Sequence, residues 1–183
     1  MNFFDEMIAA GRGVLALFMG DQNAAVNFDF SLRGLAGSII ALIIALTLSA
    51  YLPVILGSLP AHVRPHDNLI FTSSVYLVQI VAAALVLHRF ARLDAFVPYL
   101  VADSWVTFFV TVLALIPVFL QLERSMVLMV LAVVIIVVKV NIVRIIVSLS
   151  VWKIVAFLAV HLMSGVLAQL LLGSLLGMGP LAS

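Results

Sequence analysis

The sequence predicts an all-α polytopic membrane protein, a five-helix transmembrane bundle preceded by an N-terminal amphipathic interfacial helix. Of the 183 residues, 66% are hydrophobic and 9% are charged, whereas about 25% of the residues in a soluble domain are charged. Long apolar segments alternate with short polar ones, and each apolar segment is long enough to cross a bilayer as a helix. Backbone in hydrocarbon must satisfy its own hydrogen bonds, and these segments are too long and continuous for barrel strands. The spans are therefore predicted to be helices.

Residues 1–21 are predicted to form an amphipathic surface helix. Its larger apolar side chains recur at helical spacing and form one stripe, Phe4, Ile8, Leu15 and Phe18. Such a helix commonly lies in the membrane interface, although packing against the spans is the alternative. Its acidic start differs from the basic start of a secretory signal, so no cleavable signal peptide is expected.

Residues 22–33 are predicted to be a linker in which Ser31 can cap the next helix. Residues 34–183 then contain five spans, at about 34–56, 68–87, 95–120, 126–147 and 151–175. Small residues at Gly34, Gly37 and Ser38 offer a close-packing face at the start of the first span. In the loop after that span, Pro65 is expected to keep the chain out of helix.

The apolar run after Met126 is too long for one crossing, and residues 148–153 are the predicted turn within it. A four-span alternative, with this run bent and re-entrant, would bring both termini to the same side of the membrane. Five crossings place most of the basic residues on one face: Arg12, Arg33, Arg89, Arg92, Arg144 and Lys153. The positive-inside rule then predicts a cytoplasmic N-terminus and a C-terminus outside.

Four polar side chains in different spans are predicted to share one depth near the middle of the membrane: Gln79, Asp103, Lys139 and His161. Each lies roughly 12 to 17 Å from the cytoplasmic end of its span, at the rise of an α-helix. We expect Asp103 and Lys139 to pair, with the other two completing a hydrogen-bonded cluster. A histidine beside an ion pair can relay protons or bind a polar substrate group. Interhelical hydrogen bonds that only stabilise the bundle are the favoured alternative, because a second carboxylate is missing.

The sequence favours no catalytic activity and no cofactor. It contains no cysteine and no nucleophile or phosphate-binding motif. Haem between helices usually needs two facing histidines at matched depth, and His161 is the single deep one. His62 and His66 have helical spacing, but Pro65 is expected to interrupt the helix and no third ligand is evident, so no metal is expected. The net charge of +1 without a basic cluster also argues against nucleic acid as a partner.

Arg89–Leu93 open a span that has Pro117 late in it, and the turn at residues 148–153 leads into the last span. In these features, and from about Gly34 onward, the chain resembles the Yip family, five-span proteins named as interactors of Ypt/Rab GTPases, with bacterial members. The resemblance implies a five-helix bundle that acts through protein or lipid partners, in the eukaryotic branch in membrane trafficking and shaping. This chain has a short amphipathic helix in place of a long cytoplasmic arm, which argues against GTPase binding.

Two functions follow as hypotheses. The first is a non-enzymatic membrane scaffold or accessory subunit that binds the lipid bilayer, a membrane protein complex or a second copy of itself. The alternative is a small transporter or channel component whose path is lined by the polar layer. In either case we expect the protein in the inner (cytoplasmic) membrane of a bacterium.

Overall fold

A computed structural model describes residues 2–55, 64–119 and 124–175. The described residues form helices and turns and contain no strand. Their α-helices are α1 (Phe3–Met19), α2 (Leu32–Ile55), α3 (Pro65–Arg89), α4 (Phe96–Phe119), α5 (Arg124–Asn141) and α6 (Val151–Leu175). Short 3-10 turns at Ala24–Asn27 and Leu93–Ala95 precede α2 and α4, and a π-helix at Ile142–Ile146 extends α5.

Five of these helices, α2 to α6, are long and apolar enough to cross a membrane, which confirms the predicted fold class. Large apolar side chains point outward along them, including Ile43, Leu85, Ile136 and Leu162. Lipid accommodates such exposed apolar side chains along long apolar helices. The chain is therefore an integral membrane protein.

The start of α3 differs from the prediction, because Pro65 is its first helical residue and the polar residues His66 and Asp67 belong to its first turn. The first position of a helix needs no backbone N–H donor, and the fixed φ of proline suits it. Proline therefore begins this helix where it was expected to exclude one. His66 lies beside Asp67, with 3.1 Å between Nε2 and Oδ1, and His62 lies outside the described residues.

The predicted turn between the last two spans is present, but it starts from a π-helix. The backbone N–H of Val147 donates to the carbonyl of Ile142 at 3.1 Å, which widens the last turn of the fourth span. Ser148 then adopts a left-handed conformation with φ 58° and ends the helix. The next helix begins at Val151, so residues 151–153 of the predicted turn are already helical.

The chain divides into two compact units. The first, Met1–Ala45 with Asp94–Ile154, contains α1, the start of α2, and the helices α4 and α5. The second, Leu46–Leu93 with Val155–Ser183, contains the rest of α2, α3 and nearly all of α6. Among the side chains that the structure describes, the buried polar ones all belong to the first unit: Glu6, Ser38, Asp103, Ser104 and Asn141.

Both ends of α1 are capped, which explains why the helix spans most of the predicted 1–21 segment. The side chain of Asn2 accepts the backbone N–H of Asp5 at 2.9 Å, and the Asp5 carboxylate accepts the N–H of Asn2 at 3.1 Å. At the other end Gly20 takes the left-handed conformation, with φ 73°. The start of α2 is also capped, since the N–H of Gly34 donates to the Ser31 hydroxyl at 3.3 Å, as predicted.

Candidate functional site

The first unit holds the candidate site, which is the contact of α1 with α2, α4 and α5. The helix has two distinct faces. The side chains of the predicted stripe, which we call the α1 stripe, are exposed by 67%, 55%, 55% and 44% for Phe4, Ile8, Leu15 and Phe18. The opposite side, which we call the inner face, is buried and consists of Glu6, Ala10, Gly13 and Leu17. The helix therefore packs by its inner face, and the α1 stripe points outward.

Small residues on α1 permit close contacts with the rest of the unit. A Cβ at Gly13 would lie 2.6 Å from the ring of Phe28, and one at Gly11 would lie 3.1 Å from the ring of Phe109 on α4. The ring of Phe3 also packs on Trp105 of α4, with 5.8 Å between the ring centroids. The helix is thus fixed to the membrane domain along much of its length.

Glu6 is the charged member of the inner face and is only 6% exposed. Its carboxyl group lies against the backbone of α2 at Gly37, where a Cβ would be 2.6 Å from Oε2 and 2.8 Å from Cδ. The indole N–H of Trp105 donates a hydrogen bond to this carboxyl group. Its Oε1 atom has no hydrogen-bond partner within the described ranges. One carboxyl group therefore sits where α1, α2 and α4 meet.

The surroundings of Glu6 raise the pKa of its carboxyl group above the ordinary value of 4.5. Burial is the largest cause, because it disfavours the charged form, and the negative charge of Asp29 acts in the same direction. Arg33, the Trp105 hydrogen bond and the amino terminus oppose this rise without cancelling it. The site therefore favours the neutral form of Glu6 more than water does.

The position of Glu6 was not predicted from the sequence. Its place in the first turn suggests an interaction with the helix dipole, but the cap at the start of α1 is made by Asn2 and Asp5. One signal does point to burial: Glu6 shares a face with Ala10 and Gly13, at the spacing of one and two helical turns. Small residues on the side opposite a large apolar stripe indicate that this side packs closely on other helices.

The C-terminal end of α1 is held by α5. The side chain of Asn141 donates from Nδ2 to the carbonyl oxygen of Leu17 at 2.7 Å, in a buried setting. Asn141 is the last residue of α5 before the π-helix. A carbonyl near the end of a helix lacks an intrahelical partner for part of its bonding capacity, so a side-chain amide is a suitable donor.

The structure brings together two of the four residues of the predicted polar layer. The Lys139 ammonium group on α5 contacts Oδ1 of Asp103 on α4 as an ion pair, within the first unit. Asp103 is buried and Lys139 is largely so. Thr107 donates from its hydroxyl to the carbonyl of Asp103 at 2.8 Å, one turn along α4. An isolated charge inside a membrane costs free energy, so each of these charges is stabilised by its partner on the other helix. The pair thereby links two spans.

The other two residues of the predicted layer, Gln79 and His161, belong to the second unit. Gln79 on α3 lies against the backbone of α6 at Gly165, where a Cβ would be 3.3 Å from its Cδ. His161 lies one turn before Gly165 and stacks on Phe157, with 6.1 Å between the ring centroids and 9° between the planes. Each pair is described within its own unit, and a cluster of all four residues stays a prediction.

Comparison with known families, curated proteins and solved structures found no match to this chain. The resemblance to the Yip family therefore stays a prediction, and the function is inferred from the geometry alone. In the described part of the chain, no three His, Asp or Glu side chains lie close enough together to hold a metal ion.

The arrangement supports two kinds of chemistry. The Asp103–Lys139 pair satisfies both charges inside the spans and stabilises the packing of α4 on α5. The carboxyl group of Glu6 can gain or lose a proton at the contact that holds α1 in place. The α1 stripe, facing outward from the same helix, provides an apolar surface beside the membrane spans.

Proposed function

We propose that this protein is a non-enzymatic integral membrane scaffold that binds the lipid bilayer through the α1 stripe and serves membrane organisation. The observation that carries the proposal is the division of α1 into two faces. Its inner face is packed on the spans of the first unit, and its stripe of large apolar side chains faces outward. A helix of this kind buries its apolar face in the boundary between headgroups and acyl chains.

The lipid bilayer is the partner that fits this surface best. The helices packed against α1 belong to the set that is long and apolar enough to cross a membrane, which supports a position of α1 beside the bilayer. Exposed Arg12 and Asp5 lie at the edge of the stripe and not within it, where they can reach headgroups and water. A helix that inserts into one leaflet displaces lipid there, and its binding depends on membrane curvature.

Lipid contact of the stripe is testable because the chain contains no cysteine. Single variants Ile8→Cys and Leu15→Cys, each carrying a fluorophore, are reconstituted in vesicles with lipids that bear quenchers at defined acyl depths. Gln22→Cys, which is exposed just beyond α1, is the control. We expect shallow acyl quenchers to act on the two stripe positions and not on the control. Full access of a water-soluble quencher to the stripe would contradict the proposal.

Membrane organisation itself is tested with the stripe made polar. The triple variant Ile8→Ser, Leu15→Ser and Phe18→Ser is compared with the apolar control Ile8→Leu, Leu15→Ile and Phe18→Leu. Both retain the inner face and the spans. We expect the polar variant to lose any preference for small, highly curved vesicles, and the control to retain it. Equal behaviour of the two variants would remove the main support for the scaffold.

The alternative function, a small transporter or channel component, is favoured by one observation, the buried ion pair between Asp103 and Lys139. Charges inside spans often line a path for ions or protons. Reconstituted protein should then show proton flux that depends on pH and is lost in Asp103→Asn. Vesicles without flux in the presence of the unaltered protein would reject the transport function and leave the ion pair as a structural contact.

A further inference from the structure

We propose that Glu6 is a proton-binding site that controls the docking of α1: the neutral carboxyl group holds α1 on α2 and α4, and its ionisation releases the N-terminal half of the helix. This inference rests on the proposed function, because it assigns a regulator to the helix that carries the α1 stripe. The ligand is a proton, and its site is formed by Glu6, Gly37 and Trp105.

The docked position suits a neutral carboxyl group better than a carboxylate. A carboxylate has acceptor capacity for about four hydrogen bonds, yet Trp105 is the donor that reaches Glu6 here and Oε1 has no partner in the described residues. The close backbone at Gly37 leaves no room for Glu6 to shift toward α2. Ionisation in place therefore leaves a poorly solvated charge, which costs free energy. Moving α1 outward lets water solvate that charge.

The charged groups around Glu6 do not neutralise it. From the segment before α2, Asp29 repels a negative charge. Arg33, in the first turn of α2, attracts it, but Arg33 is exposed, so water and salt screen its effect. From α4, Trp105 is a neutral donor. From α5, Asn141 is neutral, and Lys139 is engaged with Asp103. On α1 itself, Asp5 is engaged in the helix cap. The amino terminus attracts a negative charge on Glu6, but its effect is the smallest of these.

The direction of the pH effect follows from the raised pKa of Glu6. A docked group with a pKa above its ordinary value of 4.5 binds its proton more tightly than the released group does. The full stabilisation of docking by this group is present below pH 4.5, and it is lost as the pH rises through the raised pKa. Acidification therefore favours the docked helix, and a rising pH favours release.

The C-terminal half of α1 is expected to stay in place when the N-terminal half is released. Asn141 holds the carbonyl of Leu17 at 2.7 Å, about three turns from Glu6, and this bond involves no titratable group. Ionisation of Glu6 thus changes the position of Phe4 and Ile8 more than that of Leu15 and Phe18. The N-terminal half of the α1 stripe is therefore the half that moves, and its depth in the membrane depends on the protonation of Glu6.

The test measures the position of α1 in the full chain, reconstituted in lipid nanodiscs, by distances between two spin labels. Ala9→Cys on α1 and Leu113→Cys, exposed on α4, supply the label sites in a chain that is otherwise free of cysteine. We expect one short distance in acid and a longer, broader population at higher pH. The ratio of released to docked helix should rise by up to about tenfold per pH unit between the two pKa values of Glu6. A distribution that does not change with pH overturns the proposal.

Matched variants assign the proton to its residue. Glu6→Gln keeps an acceptor for Trp105 and removes the ionisable group, so its distances should be independent of pH. Asp5→Asn removes the same charge one residue away on the exposed side and should titrate like the unaltered protein. A Glu6→Gln variant that titrates normally overturns the proposal. Should that variant fail to fold, Glu6→Met, a neutral side chain of similar length, provides the same comparison.

The outcome separates this inference from the proposed function. Lipid quenching at Ile8 is recorded in the same pH series. A change of the spin-label distances without lipid contact at any pH would retain the proton site and reject the scaffold that binds lipid. Lipid contact that persists unchanged, with constant distances, would retain the scaffold and reject the proton site.

Discussion

A hydrogen bond from Asn141 to Leu17 connects α5 to α1: Nδ2 of Asn141 donates to the carbonyl oxygen of Leu17 at 2.7 Å. This bond, together with the contact of Glu6 at Gly37, fixes α1 at both halves. One contact is neutral and the other can ionise. The two halves of α1 should therefore respond differently to mutation and to pH.

Removal of the Asn141 donor should loosen the C-terminal half of α1. We expect Asn141→Leu to lower the free energy of unfolding by about 1–3 kcal/mol, because a buried carbonyl loses one of its partners. Thermal unfolding in detergent, followed by circular dichroism, measures the loss. Gln22→Leu removes an exposed side-chain amide near the same helix end and should have little effect. Equal stability of the two variants would show that the bond contributes nothing.

Addition of a methyl group at Gly37 should displace Glu6. Alanine in place of glycine inside a helix normally stabilises by about 1 kcal/mol, but here the new Cβ would lie 2.6 Å from Oε2. The Glu6 carboxyl group must move to avoid it, which disturbs its contact with Trp105, so we expect Gly37→Ala to be destabilising. In the Glu6→Ala background the same change should recover the normal helix-propensity gain. A double-mutant cycle in unfolding free energy checks this, and additive effects would contradict the contact.

Removing one partner of the Asp103–Lys139 pair should lower the free energy of unfolding more than removing both partners. We expect about 3–5 kcal/mol for Asp103→Leu or Lys139→Met alone, because each leaves an uncompensated buried charge. The double variant should lose less free energy of unfolding than the sum of the losses in the two single variants. Unfolding midpoints in a denaturing detergent provide the comparison, with Arg144→Met as an exposed-charge control. Strictly additive losses would argue that the two charges do not interact.

Acid should weaken the start of α2 through Asp29. The Ser31 side chain and its backbone N–H, the latter at 2.9 Å, hydrogen-bond the Asp29 carboxylate and hold its pKa below the ordinary 3.8. For a depressed pKa, the stabilising contribution is present above pH 3.8 and is lost as the pH falls through the lowered value. Carbon NMR of the labelled carboxyl group measures this titration. Ser31→Ala should move the pKa back toward 3.8, and an unchanged titration would contradict the assignment.

The predictions of the five spans, of the Asp103–Lys139 contact and of the Ser31 cap were confirmed. Hydropathy and length predict α2 to α6 because each must satisfy its backbone within hydrocarbon, whatever its neighbours. The constant rise of a helix places Asp103 and Lys139 at matching depth, and opposite charges at one depth in adjacent spans are expected to pair. Ser31 was predicted as a cap because it directly precedes the first apolar run, where a helix start needs an acceptor.

Predictions that depend on neighbours were incomplete. Pro65 was expected to exclude helix, but whether a proline begins a helix or interrupts one depends on where the first turn forms. Glu6 and Asn141 carry no sequence signature of their own, because a polar side chain on a helix can point to water, to headgroups or to another helix. The role of Gly37 was likewise not predictable, because it depends on which side chain packs against α2 at that position.

The sequence by itself determined the helical class, the membrane crossings and the stripe on α1, because these follow from the chain's own hydrophobicity and helical period. Tertiary structure alone decided which face of α1 is buried, and it placed Glu6 at Gly37 and Trp105, and Asn141 at Leu17. Those contacts join residues far apart in the chain, and their energies depend on distance and burial, which no local pattern encodes. The polar layer shows both sides: the pairing of Asp103 with Lys139 was predictable from the sequence, whereas the contacts of Gln79 at Gly165 and of His161 on Phe157 were decided by packing.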